Sequence, residues 1–87
     1  MINPQPGPTP EALRGAILKE IPDAEVEIES SDGRHFSARI VSGSFAGLTA
    51  VERHRRVYRA LGGQVGGAIH ALSLETLTPA ESRPPRS

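Results

Sequence analysis

Residues 25–41 read EVEIESSDGRHFSARIV, and this stretch decides the fold class. From Glu25 to Glu29 the chain alternates strictly, with Val26 and Ile28 on one side and glutamates on the other. Successive side chains of a strand point to opposite faces, so the segment predicts a strand with one face in a core and one in water. Asp32-Gly33 supplies a turn able to take positive φ, and Phe36, Ala38 and Ile40 resume the alternation on the return. The product is a β-hairpin whose loop is rich in polar side chains. His35 follows the turn on the face opposite Phe36.

Upstream of the hairpin, Thr9-Pro10 marks a helix start. The threonine hydroxyl accepts from an early backbone amide, and proline's missing donor costs nothing at the first helical position. Leu13, Ile17 and Ile21 then recur at four-residue spacing as one apolar stripe that stops before Pro22. Downstream, residues 42–48 contain two glycines and read as a connection from which Phe45 plugs the core. Thr49 and Glu52 form a capping box. The helix that follows is read with Val51, His54, Tyr58 and Leu61 inward and with Arg55, Arg56 and Arg59 mostly outward, and Gly62-Gly63 ends it.

Four of the six residues 62–67 are glycine, so a helical turn there is marginal. Residues 69–77 read as a third strand, and Thr78, Pro79 and Glu81 repeat a capping signature before Pro84. The order is α, β, β, α, a marginal short α, then β, with no internal repeat. Two helices on one face of a small three-stranded sheet bury the aliphatic stripes, which is an α+β solution that leaves the other sheet face partly wet. Residues 9–81 are expected to form one domain, with 1–8 and 82–87 as proline-containing mobile tails.

Composition narrows the function classes. A chain of 87 residues buries only about 60% of its unfolded surface, which leaves little room for a deep enclosed active site. Phe36, Phe45 and Tyr58 are the only aromatics, so the core must be aliphatic. Ten basic residues balance ten acidic ones, so no global field draws the molecule to nucleic acid or anionic lipid. Cysteine is absent, which excludes a disulfide framework and any thiolate supplied by this chain. Without a signal-peptide pattern or a bilayer-length apolar run, the chain is expected to be cytoplasmic and soluble, with no membrane partner.

No Gly-x-Ser-x-Gly, Walker loop or His-Glu-x-x-His occurs, and the Glu25–Glu29 acids lie on a solvent face, so an enzyme is not expected. Three histidines remain. The helical spacing of His54 favours a structural histidine over a ligand. His70 stands at the mouth of the third strand after a glycine-rich connection, and His35 comes near it if that strand lies beside the hairpin. Two imidazoles are too few for a closed structural metal site but enough for half of a shared one.

Arg53, Arg55, Arg56 and Arg59 on one helix form the best nucleic-acid feature, since guanidinium forks suit phosphate. Glu52 can pair with Arg55 or Arg56, however, which favours an ordinary solvated helix face. Gly63-Gln64-Val65-Gly66 matches the Gly-x-x-Gly clamp of KH domains, but neither central residue is basic and the glycines also read as a helix stop.

Beyond these readings, a set of motifs occurs in order: His35-Phe36, Val41-Ser42, Phe45-Ala46-Gly47, Arg53-His54-Arg55, Val57-Tyr58, Leu61, Ile69-His70-Ala71-Leu72 and Thr78-Pro79-Ala80-Glu81. Over residues 9–81 the chain resembles the BolA family. The resemblance implies an αββααβ fold, a three-stranded mixed sheet with helices on one face, related to class II KH domains. It also implies a monothiol glutaredoxin partner and a [2Fe-2S] cluster bridged between the two proteins. In that family the glutaredoxin cysteine and glutathione supply thiolates, and the histidine of the Ile-His-Ala-Leu segment, here His70, supplies nitrogen. A second family ligand, cysteine or histidine, comes from the hairpin loop: the Arg-His-Phe match points to His35, while cysteine-bearing members place the ligand four residues before the aromatic, where this chain has Asp32.

Imidazole in place of thiolate raises the reduction potential of iron and makes ligation pH-sensitive, which suits iron sensing or cluster trafficking. The isolated protein is expected to be a monomer without cofactor, and DNA binding is the alternative function. Many relatives continue past the Thr-Pro-x-Glu segment with tryptophan and a further helix, whereas Ser82 and prolines follow here.

Overall fold

The structure is a computed structural model and describes residues 9–33, 35–62 and 71–82. The element order is α1 (Pro10–Glu20), β1 (Glu25–Glu29), β2 (His35–Val41), a 3-10 turn (Gly43–Phe45), α2 (Ala50–Leu61), β3 (Ala71–Leu77) and α3 (Pro79–Ser82). The tails 1–8 and 83–87, the marginal helical turn, the Gly63-Gln64-Val65-Gly66 match and His70 lie outside the described residues. Ser82, the first residue of the expected C-terminal tail, closes α3.

Helix α1 starts as its sequence dictates, with the Thr9 hydroxyl accepting from the Ala12 amide at 3.1 Å and Pro10 at the first helical position. Its Leu13 and Ile17, and Ile21 at the C-cap, are fully buried. In the sheet, β2 is central. It pairs antiparallel with β1, Val26 opposite Ile40 and Ile28 opposite Ala38, and parallel with β3, Phe36 opposite Leu72 and Ala38 opposite Leu74. The α+β class, the hairpin and the mixed three-stranded sheet therefore hold. Both long helices pack on one face, where Leu13, Ile17, Ile21, Val57 and Leu61 meet Val26, Phe36, Ala38, Ile40 and Phe45. The opposite face stays wet, and Arg39 bridges from β2 to Glu75 of β3 there at 3.3 Å.

Phe45 plugs the core from the connection and has no exposed surface. That connection is moored by Asp23, whose two carboxylate oxygens lie 2.8 and 2.9 Å from the Ser42 hydroxyl, while the Gly43 amide donates at 3.0 Å. The Ser42 hydroxyl, helped by the backbone amide of Gly43, holds the Asp23 carboxyl below its ordinary range despite some desolvation. Helix α2 opens with the expected capping box: the Thr49 hydroxyl accepts from the Glu52 amide at 3.1 Å, and the Glu52 carboxylate accepts from the Thr49 amide at 2.8 Å.

The inward face of α2 corrects the sequence reading. Val57 and Leu61 are buried, His54 is half-buried, and Val51 and Tyr58 are 59% and 40% exposed. Helical spacing fixes the angle between side chains but not which arc faces the sheet. Here the arc through Arg53, Val57 and Leu61 is the one that meets Phe45 and α1, so the stripe through Val51 and Tyr58 turns to solvent.

Candidate functional site

The hairpin loop is held by its own side chains. The Ser30 hydroxyl accepts from the Gly33 amide at 2.8 Å, and Gly33 takes the left-handed conformation at φ 74. Asp32 then reaches forward to the first residue of β2. One carboxylate oxygen, Oδ1, accepts from the His35 backbone amide at 2.9 Å, and Oδ2 lies 2.7 Å from the His35 ring Nδ1. The His35 side chain is 63% exposed beyond this contact. Phe36, the next residue, is buried, so the ring sits on the wet side of the strand as the alternation predicted. A shallow depression beside it is lined by polar groups that include Ser30, Ser31, Ser37 and Ser73.

The parallel register places Ala71, the first residue of β3, opposite His35. The residue bonded to Ala71 on its N-terminal side is His70, which lies outside the described residues. The condition set at the sequence level, that the third strand lie beside the hairpin, is met. The Asp32–His35 contact does not follow from reading Asp32 as a turn residue or as the position of a family ligand; an aspartate three residues before a histidine across a tight turn is the signal for it. Among the described residues no group of three or more His, Cys, Asp or Glu side chains is arranged to hold a metal ion.

The arginine helix divides. Arg53 turns inward, its side chain only 12% exposed, with its guanidinium 5.9 Å from the centre of the Phe45 ring. Its Nε donates to the Leu48 carbonyl at 3.1 Å, Nη1 to the Thr76 carbonyl at 3.2 Å and to Glu81 Oε1 at 2.8 Å, and Nη2 to Glu81 Oε2 at 3.3 Å. Arg56 donates to the Ser44 carbonyl at 3.4 Å, and Arg59 lies 3.9 Å from Glu20 of α1. Arg55 is exposed on the outer side. No helix among the described residues is long and apolar enough to cross a membrane.

Comparison with known proteins matches residues 16–81 to a family model described as BolA-like protein. The human protein named BolA-like protein 1 is 33% identical over 86 residues, covering 88% of this chain and 63% of that protein, so the chain spans under two-thirds of that relative. A Haemophilus influenzae protein named DNA-binding transcriptional regulator BolA is 43% identical over 47 residues, covering 54% of this chain and 46% of that protein. The solved structure of BolA1 from Arabidopsis thaliana superposes with a TM-score of 0.74 at 37% identity, covering 84% of this chain and 94% of that one.

Proposed function

This chain belongs to the BolA-like protein family, and on that premise we propose that it is a non-enzymatic cytoplasmic adaptor that binds a monothiol glutaredoxin and shares a [2Fe-2S] cluster with it through histidine, in iron-sulfur trafficking or iron sensing. The observation that carries this reading is the pairing of His35 with Ala71, the neighbour of His70 in the chain. It sets His35 beside the first residue of the strand that follows His70 in the sequence.

The chemistry of His35 suits a shared group. His35 offers an exposed imidazole already held through its other ring nitrogen, which is how ligating histidines are commonly supported. His70 and His35 supply nitrogen only, and with no cysteine in the chain the thiolates must come from the glutaredoxin cysteine and glutathione. When bound, such a cluster supplies one-electron redox chemistry at a potential raised by imidazole ligation. The chain's own part is to present nitrogen at a sheet end.

Anaerobic reconstitution with a monothiol glutaredoxin, glutathione, iron and sulfide tests partner and ligand together. A coloured complex whose visible spectrum differs from that of the glutaredoxin alone is expected, and His70→Ala is expected to abolish the difference. A spectrum that His70→Ala leaves unchanged would overturn the ligand assignment.

A second reading, DNA binding by the arginine helix, is favoured by the name of the Haemophilus influenzae relative and by the outward position of Arg55. Against it, Arg53, Arg56 and Arg59 are drawn into contacts within the chain. It predicts binding that weakens with salt and a log–log slope that falls by about one for each phosphate-contacting arginine replaced. Flat titrations at low salt remove it.

A further inference from the structure

Asp32 turns both carboxylate oxygens toward His35, and Oδ1 also accepts from the Ser30 hydroxyl at 3.5 Å. Oδ1 accepts from the His35 backbone amide and Oδ2 faces the His35 ring Nδ1, at 2.9 and 2.7 Å. An ionised carboxylate only accepts hydrogen bonds. A neutral imidazole with its lone pair on Nδ1 would set two acceptors against each other at that distance, so Nδ1 must carry the proton and the ring lone pair lies on Nε2. Ligating histidines are oriented in this manner by a carboxylate or carbonyl behind the metal-binding nitrogen.

We infer that Asp32 is a positioning residue that fixes His35 in the Nδ1-protonated form and so makes Nε2 the nitrogen His35 presents to iron. The inference rests on the reading of His35 as a ligand of the shared cluster, and adds to it the atom and the residue that selects the atom. It also gives Asp32 a role other than ligation, because the carboxylate is turned onto its neighbour and brings oxygen where the cluster calls for nitrogen or sulfur.

The Asp32→Asn substitution separates this role from a merely structural one. The backbone amide of His35 is a donor in every state, so it takes the carbonyl oxygen of the new side chain. The amide nitrogen is then left facing Nδ1. That nitrogen donates, Nδ1 must accept, and the ring proton moves to Nε2. In serine-protease triads the same exchange likewise preserves geometry and inverts the tautomer.

The first measurement is the two-bond proton–nitrogen correlation spectrum of the histidine rings in the metal-free protein, with the rings neutral. Wild type is expected to show His35 protonated at Nδ1 and Asp32→Asn at Nε2, with backbone amide signals outside the loop unmoved. The second is the reconstituted glutaredoxin complex. There Asp32→Asn is expected to give the spectrum of His35→Ala and to hold the cluster about 10- to 100-fold less tightly. A wild-type ring protonated at Nε2, or an Asp32→Asn ring that keeps the wild-type pattern, overturns the positioning role whatever the cluster does. A ring that switches while His35→Ala leaves the complex unaltered overturns instead the ligand assignment, and with it the metal role of Asp32.

Discussion

Arg53 and Glu81 meet through a two-pronged ion pair, Nη1 to Oε1 at 2.8 Å and Nη2 to Oε2 at 3.3 Å, that ties the first turn of α2 to α3. Glu81 also closes a capping box on α3: its carboxylate accepts from the Thr78 amide at 2.9 Å, and its own amide donates to the Thr78 hydroxyl at 3.2 Å. One carboxylate thereby stabilises a four-residue helix that could not persist alone.

The pair makes stability depend on acid. The Arg53 guanidinium, then the Thr78 amide, holds the Glu81 carboxyl down from an ordinary 4.5 to about 2. A group whose folded value is depressed stabilises the fold fully above its unfolded value and loses that contribution as pH falls through the folded one. The contribution of Glu81 is therefore present above about pH 4.5 and gone near pH 2. Urea midpoints measured across this range are expected to fall for wild type and to fall less for Glu81→Gln, which starts lower at neutral pH. Equal slopes would show that the pair does not couple to folding.

Phe45→Ala removes a side chain with no exposed surface from the meeting point of both helices and the sheet, and is expected to cost about 3–5 kcal/mol. Val51→Ala, on the outward stripe of α2, is expected to stay within about 0.5 kcal/mol. Chemical denaturation of the two variants checks the assignment of the α2 face, since an inward Val51 would cost well over 1 kcal/mol.

Gly62 ends α2 at φ 64 and ψ −136, a backbone region that side-chain-bearing residues avoid. A Cβ built there meets nothing within 4 Å, so any penalty is conformational rather than steric. Gly62→Ala is expected to destabilise by about 1–3 kcal/mol, measured by urea unfolding, without disturbing amide chemical shifts in the core.

Ser42→Ala removes a hydroxyl that is 1% exposed and is the chief cause of the lowered Asp23 carboxyl. A cost of about 1–2 kcal/mol is expected, together with a rise of the Asp23 titration toward its ordinary value. Carboxyl-carbon NMR titration of Asp23 reads the second effect directly, and an unmoved titration would exclude Ser42 as its cause.

What the sequence determined by itself is local. The alternation in Glu25–Glu29, the four-residue spacing of Leu13, Ile17 and Ile21, and the capping pairs Thr49–Glu52 and Thr78–Glu81 are rules of one or two turns of chain, and each is obeyed. The wet side of His35 follows from the same period-two rule. Tertiary structure decided the rest. The rotation of α2 about its axis depends on what packs beneath it, so Phe45 and α1 buried Val57 and left Val51 and Tyr58 in water. Arg53 reads in sequence as one of four similar basic residues, and only the return of β3 and α3 beside α2 supplied the Thr76 carbonyl and the Glu81 carboxylate that hold it. Likewise, the parallel pairing that sets His35 against Ala71 is a contact between distant segments, which no local spacing can encode because it is fixed by the packing of the crossover between β2 and β3.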